Sequence, residues 1–241
     1  YRVLVEVEYF IALCGLPLPQ LKDVDASCFE GLRDIYRKFS QSDAERIKSI
    51  EKKTNHDVKA VEYFLKDSFA DRDLAKYSEF IHFGLTSQDI NNTALPLMQK
   101  DAWESVIAPA FKETITRLNG LANDCKDVAM LARTHGQPAS PTVMGKEIYV
   151  FINRLEMQWT LLEKIPYTAK FGGATGNFNA HVVAYPDIDW PGFADHWVNE
   201  VLGLTRLRAT TQIEPYDHLA AFCDGVKRMN TILIDLCRDI W

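Results

Sequence analysis

The 241-residue sequence contains no Cys-x-x-Cys pair and no Cys/His cluster with metal-ligand spacing, and its five cysteines, Cys14, Cys28, Cys125, Cys223 and Cys237, are odd in number and widely scattered. This pattern excludes a disulfide framework and a zinc site and implies a reducing compartment. No run of eighteen or more apolar residues occurs, so no membrane-spanning helix is expected. No basic-then-apolar leader is visible, and a cytoplasmic protein is the expectation. Blocks of like charge are missing as well: 27 Lys and Arg are interleaved with 33 Asp and Glu, for a formal charge of −6. A general nucleic-acid surface is thereby excluded, and an anionic ligand has to be caught by a local pocket. Strand signals are few, short and never followed by hairpin turns, which disfavours an α/β sheet enzyme. There is no internal repeat and no low-complexity tract.

What is present reads as helix. Apolar residues make up 47% and charged residues 25% of the chain, the balance of a folded globule with a sizeable core. Tyr1 to Cys14 is ambiguous, because Val3, Val5 and Val7 alternate like a strand while the length and the following Gly15 suit a helix; helix is the reading adopted. Ser42-Asp-Ala-Glu45 has the form of a capping box. Thr54-Asn55-His56-Asp57 marks a second helix start, ahead of Val58, Val61, Phe64 and Leu65.

From Ser87 to Lys126 runs a long helical stretch in which Pro109 is expected to cause a kink. A further helix opens near Thr142 and carries Ile148, Phe151, Ile152, Leu155, Trp159 and Leu162 on one face. In the last helix Leu219, Phe222, Val226, Met229, Leu233, Leu236 and Ile240 alternate steps of three and four. That is a heptad seam, suited to a helix bundle inside one subunit or shared between subunits. The fold class is therefore all-α: residues 1–84 as a small N-terminal helical domain, and residues 85–241 as part of a long-helix bundle. Because the chain starts at Tyr1 and its last helical pattern still runs at Trp241, both ends read as cut.

Polar, glycine-bearing interruptions between helices are where sites collect. Thr54-Asn55-His56-Asp57 offers an amide, an imidazole and helix-start N–H groups that suit a phosphate or carboxylate; read alone it is an N-cap with a surface histidine. Phe83-Gly84-Leu85-Thr86-Ser87-Gln88-Asp89 places two hydroxyls before a long helix, whose dipole favours anions, or simply caps it. His82 between Ile81 and Phe83 reads as a hydrogen-bonded core histidine before it reads as a catalyst. In Arg133-Thr134-His135-Gly136-Gln137-Pro138 a histidine lies between small or rigid residues ahead of a helix start. An aimed, partly buried imidazole there can move a proton near neutrality, and a turn histidine without a role is the plainer alternative.

Phe171-Gly-Gly-Ala-Thr-Gly-Asn-Phe-Asn-Ala-His181 brings glycine amides close to a ligand, but it has no P-loop lysine and follows no strand, so an ATPase is excluded. Thr210-Thr211-Gln212-Ile213-Glu214-Pro215 offers an amide and hydroxyls ahead of the heptad helix, or a plain helix start.

In order, these stretches resemble the adenylosuccinate lyase branch of the fumarase/aspartase superfamily along nearly the whole chain. The superfamily pattern Thr-Ser-x-Asp-x-x-x-Thr is intact as Thr86, Ser87, Asp89 and Thr93, and Thr54–Tyr63 and Thr210–Pro215 resemble that branch specifically. The resemblance implies elimination of fumarate from adenylosuccinate, giving AMP, and from SAICAR, giving AICAR, without metal or organic cofactor. It implies that His135 is the general acid at the departing purine nitrogen. It further implies that Asn55, His56, Asp57, Thr86 and Ser87 hold the phosphate and succinyl carboxylates, and that Gln212 contacts the substrate. The chemistry suits those residue types, since proton removal beside a carboxylate needs donors around it, a base on one side and an acid at the leaving nitrogen.

The serine base of the family, in the pattern Ser-Ser-x-Met-Pro-x-Lys-x-Asn-Pro, does not occur before Trp241, nor do an Asp-Gly-Arg-Tyr-like phosphate segment and a last helical domain. The 241 residues alone are therefore expected to be inactive. Members of the family are homotetramers whose sites are shared between subunits. Tyr216 stands where close relatives are expected to carry a histidine, with His218 two residues on. Argininosuccinate lyase or aspartase would share Thr86, Ser87 and His135 but not the motifs at Asn55 and Gln212; a catalytically silent helical scaffold is the remaining alternative.

Overall fold

Apolar residues at helical spacing become helix along most of the chain, and the computed structural model, which describes residues 1–241, bears out the all-α class. In chain order the elements are α1 (Arg2–Cys14), α2 (Phe29–Arg37), α3 (Gln41–Thr54), α4 (Asp57–Ala70), α5 (Ser87–Ala102) and α6 (Ala108–Asp124). A hairpin of β1 (Ala129–Thr134) and β2 (Gln137–Val143) follows, then α7 (Met144–Leu162) and β3 (Thr168–Lys170). Last come α8 (Asn179–Ala184), α9 (Trp190–Asp195), β4 (Thr205–Leu207) and α10 (Asp217–Ile240). The chain forms two compact units, residues 1–99 with 167–215 and residues 100–166 with 216–241.

In the first unit α1 is buried on most sides, which explains its strand-like alternation. Val3, Val5, Val7, Tyr9, Phe10 and Leu13 all lie inside, as helical residues. Around it a single aromatic-rich core gathers Phe69, Phe171, Trp190 and Trp197, with edge-on pairs such as Phe10 with Phe69 at 4.8 Å. Arg33 and Tyr36 of α2 tie to the buried Glu8 carboxylate at 2.8 Å each. The β3 and β4 strands pair in parallel, Ala169 opposite Arg206. The capping box lies two residues earlier than expected: the Asp43 amide donates to Ser40 Oγ and the Ser40 amide to Asp43, so Ser40, and not Ser42, opens α3.

The second unit packs α6, α7 and α10 together with the β1–β2 hairpin. The helical stretch from Ser87 is irregular in the turn just ahead of Pro109. A π-turn over Trp103–Ile107 interrupts it, and Pro109 follows in the first turn of α6. The hairpin was not expected. Ala129 pairs with Val143 and Thr134 with Gln137, closed by His135 and Gly136 at φ 49° and 77°. Two left-handed residues in a two-residue loop are the type I′ arrangement that matches strand twist. No alternation announced the strands because both faces of the ribbon are largely exposed.

The predicted seam of α10 splits in two. Phe222, Met229 and Leu236 are buried together with Gly225 and Ile232, whereas Leu219, Val226 and Leu233 are half-buried and Ile240 is 69% exposed. The first line packs on α7 and on Trp103, whose ring meets Phe222 edge-on at 5.4 Å. No helix of either unit is long and apolar enough to cross a membrane.

Candidate functional site

Thr86 and Ser87 stand at the start of α5, and the first turns of that helix organise their surroundings. The buried Asp89 carboxylate takes four donors. Oδ2 accepts the Thr86 amide at 2.8 Å, and Oδ1 accepts Lys170 Nζ at 2.7 Å and the Gly172 and Gly173 amides at 2.8 and 3.1 Å. Lys170, fully buried at the end of β3, is pulled below the ordinary lysine range by burial, an effect that the adjacent Asp89 charge opposes. The glycine loop was expected to offer its amides to a ligand. Two of them are already spent on this internal carboxylate.

Behind the Thr86 loop lies a second set of buried polar groups. Tyr9 donates its hydroxyl proton to Phe83 O at 2.7 Å, so the 3.1 Å contact between Tyr9 Oη and His181 Nε2 has the imidazole as donor. His181 is enclosed by the rings of Phe83, Phe171, Phe178 and Trp190, and burial lowers its pKa to about 4. It is a neutral structural histidine near pH 7. Gly84 packs against that ring: at φ 69° a Cβ would meet it at 2.6 Å. His82 Nδ1 lies 2.8 Å from the Oε1 atom of the fully buried Glu6. Burial works to lower His82, but the hydrogen bond and charge of Glu6 outweigh it and hold the imidazole above its ordinary value. Burial raises Glu6 in turn, against the pull of His82.

Of the residues expected at the site, Thr86 and Gln212 come together: Gln212 Nε2 donates to Thr86 Oγ1 at 3.5 Å, across 126 residues of sequence. Gln212 is exposed, and Thr86 and Ser87 are half-buried. Asn55, His56 and Asp57 form the junction of α3 and α4. Asn55 ends α3 in the left-handed region at φ 50°. His56 caps α4, its Nδ1 accepting the Lys59 amide at 3.1 Å, and it remains half-exposed. Asp57 pairs with Arg2 at 2.7 Å; burial works against its charge, but the Val58 amide and Arg2 outweigh that and hold it below the usual range. His135 is exposed, not partly buried, at the hairpin tip of the second unit.

Sequence reasoning passed over Glu6, Asn92, Lys170 and Glu214. Glu6 could have been suspected as a charge on an otherwise apolar helix. Lys170 carries no such signal, because a lysine after two small residues reads as surface.

The architecture is that of the fumarase/aspartase type. A fumarate lyase from Mesorhizobium sp. BNC1 superposes with a TM-score of 0.79 at 21% identity, over 99% of this chain and 53% of that one. A β-carboxy-cis,cis-muconate cycloisomerase from Acinetobacter calcoaceticus gives 0.74 at 21% identity, with the same coverage. The model of the lyase family matches residues 7–241, and the chain belongs to that family. Within it the chain is similar to adenylosuccinate lyases: 55% identical to that of Dictyostelium discoideum, 45% to that of Escherichia coli K12 and 44% to that of Vibrio cholerae, in each case over all of this chain and 53% of the relative. The chain thus spans about half the length of the curated relatives it matches.

Proposed function

We propose that the whole protein is an adenylosuccinate lyase, releasing fumarate from adenylosuccinate and from SAICAR. The observation that carries the reading is 55% identity, over every part of this chain, to a protein of that name. The meeting of Thr86 with Gln212 adds support, since it joins a superfamily motif to one that resembles this branch alone.

In the proposed reaction a serine base, outside these 241 residues, removes a proton from the carbon beside a succinyl carboxylate. The C–H electrons form the new double bond, the C–N bond breaks, and its electron pair goes to the purine nitrogen, which takes a proton from His135. Asn55, His56, Asp57, Thr86 and Ser87 hold the phosphate and carboxylates, and Gln212 contacts the substrate. Donors placed where negative charge builds are the expected source of most of the acceleration. No metal or organic cofactor takes part.

We place the protein in the cytoplasm, in keeping with five free cysteines. We also propose a homotetramer with shared sites, built on an N-terminal helical domain of residues 1–84 and a central bundle that includes 85–241. Two features support assembly. The second line of α10 is only half-buried, and Leu233, Ile234 and Trp241 line an apolar groove on that helix. The hairpin region leaves Met130, Leu131, Val143 and Met144 exposed, and a two-stranded ribbon is marginal by itself.

The test is turnover of adenylosuccinate, argininosuccinate and aspartate by the whole protein, side by side. Fumarate release from the first alone is expected. Activity on only the latter two would overturn the assignment, and near-normal turnover by the 241 residues would overturn the placement of the base.

A further inference from the structure

Gln212 is exposed, and its contact with Thr86 is long, so that bond cannot hold a loop in place. Its position has to come from anchors on either side. On one side Gly176 presses against the Thr210 carbonyl, so closely that a Cβ there would lie 2.6 Å from the oxygen. On the other side the Glu214 amide donates to Asn92 Oδ1 at 2.9 Å, and the Glu214 carboxylate accepts Thr168 Oγ1 at 2.9 Å. Asn92, Glu214 and Thr168 are all buried, whereas Gln212 is exposed and Thr86 is half-buried.

The geometry ties both partners to one rod. Asn92 sits in α5 six residues after Thr86, roughly 9 Å along a rigid helix. Gln212 lies two residues from Glu214, a reach of about 7 Å for extended chain. Thr86 and the clamp on Gln212 are thus carried by the same helix, and the gap between the two side chains is set by α5.

We propose that Asn92, with Glu214 and Thr168, is a positioning unit that holds Gln212 against Thr86 and so sets affinity for the ligand end these two residues contact. The inference rests on the reading of Thr86 and Gln212 as substrate contacts. None of the three need touch substrate; they act through the strap.

The experiment measures kcat and KM of the whole protein on adenylosuccinate for Asn92→Ala, Thr168→Val, Thr168→Ser, Gln212→Ala and the double variant Asn92→Ala/Gln212→Ala, with amide hydrogen exchange of residues 211–214 in the same proteins. Loss of a buried hydrogen bond predicts a KM raised about tenfold in Asn92→Ala and Thr168→Val. A kcat within about threefold of wild type is expected, with Thr168→Ser near wild type. The double variant should be no worse than Gln212→Ala, because the two act on one interaction. Exchange at 211–214 should quicken in Asn92→Ala while the rest of α5 is unchanged. An unchanged KM, a loss confined to kcat, additive effects, or unaltered exchange at 211–214 would overturn the proposal. If Asn92→Ala fails to fold, the Thr168→Val and Thr168→Ser pair decides by the same readouts. A wild-type protein that does not turn over adenylosuccinate would sink the functional reading instead, and exchange would still judge the clamp.

Discussion

Asp89 and Lys170, 81 residues apart, meet at 2.7 Å with neither side chain exposed. Two charges are kept from water here because the carboxylate is saturated by three backbone amides besides the ammonium. Removing one member of such a pair leaves the other buried and uncompensated. Lys170→Met is expected to cost about 3–5 kcal/mol of stability. Urea unfolding measures it, and a loss under about 1 kcal/mol would mean that the amides alone satisfy Asp89.

Gly84→Ala and Gly136→Ala separate backbone strain from crowding. Both glycines have positive φ, 69° and 77°, but a Cβ at Gly84 strikes the His181 ring whereas one at Gly136 meets nothing within 4 Å. Gly136→Ala should cost only the left-handed penalty of about 1 kcal/mol. Gly84→Ala adds overpacking of about 1–3 kcal/mol. Equal losses in thermal melts would contradict the packing described.

Two histidines give opposite pH signatures. His82 is held above its ordinary 6.5 by Glu6, so its contribution is complete below pH 6.5 and fades as pH rises through the raised value. Glu6, itself raised by burial, acts in the same sense. His82→Gln should flatten the alkaline decline of the melting temperature. His181 is depressed to about 4, so its contribution is complete above pH 6.5 and falls away between 6.5 and about 4, on the order of 3 kcal/mol in all. Melts of His181→Phe across that range should lack this acid limb; if they keep it, His181 is not the group responsible.

His135→Asn tests the acid without disturbing the turn, because asparagine tolerates positive φ. Turnover by the whole protein should drop at least about a hundredfold with an unchanged melt, since the side chain is exposed. Undiminished turnover would mean that the proton donor is a group other than His135.

For assembly the informative change is Leu233→Glu, on the half-buried line of α10. The chain fold should survive, because Phe222, Met229 and Leu236 carry the packing on α7. Light scattering of the whole protein should show loss of the proposed tetramer, and an assembly of unchanged size would move the interface elsewhere.

Helices were legible wherever one apolar face repeats at 3.6 residues, and α1 was legible despite its alternation because length and Gly15 outweighed Val3, Val5 and Val7. The hairpin was not legible. Periodicity reports burial, and neither face of Ala129–Val143 is buried; the surviving signal was His135-Gly136, a pair that tolerates two left-handed residues. The α10 seam was visible in its sevenfold spacing, but spacing cannot say which of two parallel lines a neighbour covers. The site was legible as motifs. Its supports were not, because Lys170, Asn92 and Glu214 acquire meaning only through partners 81 and 122 residues away.

The glycine loop carries a consequence for selectivity. Its two inward amides are occupied by a carboxylate tethered on the same scaffold, whose effective concentration no free metabolite can match. An anion arriving from solution therefore cannot draw on the Gly172 and Gly173 amides. On the proposed reading of Thr86, Ser87 and Gln212 as substrate contacts, discrimination among anions is open to change by single substitutions at these three side chains, while the backbone beneath them stays as it is.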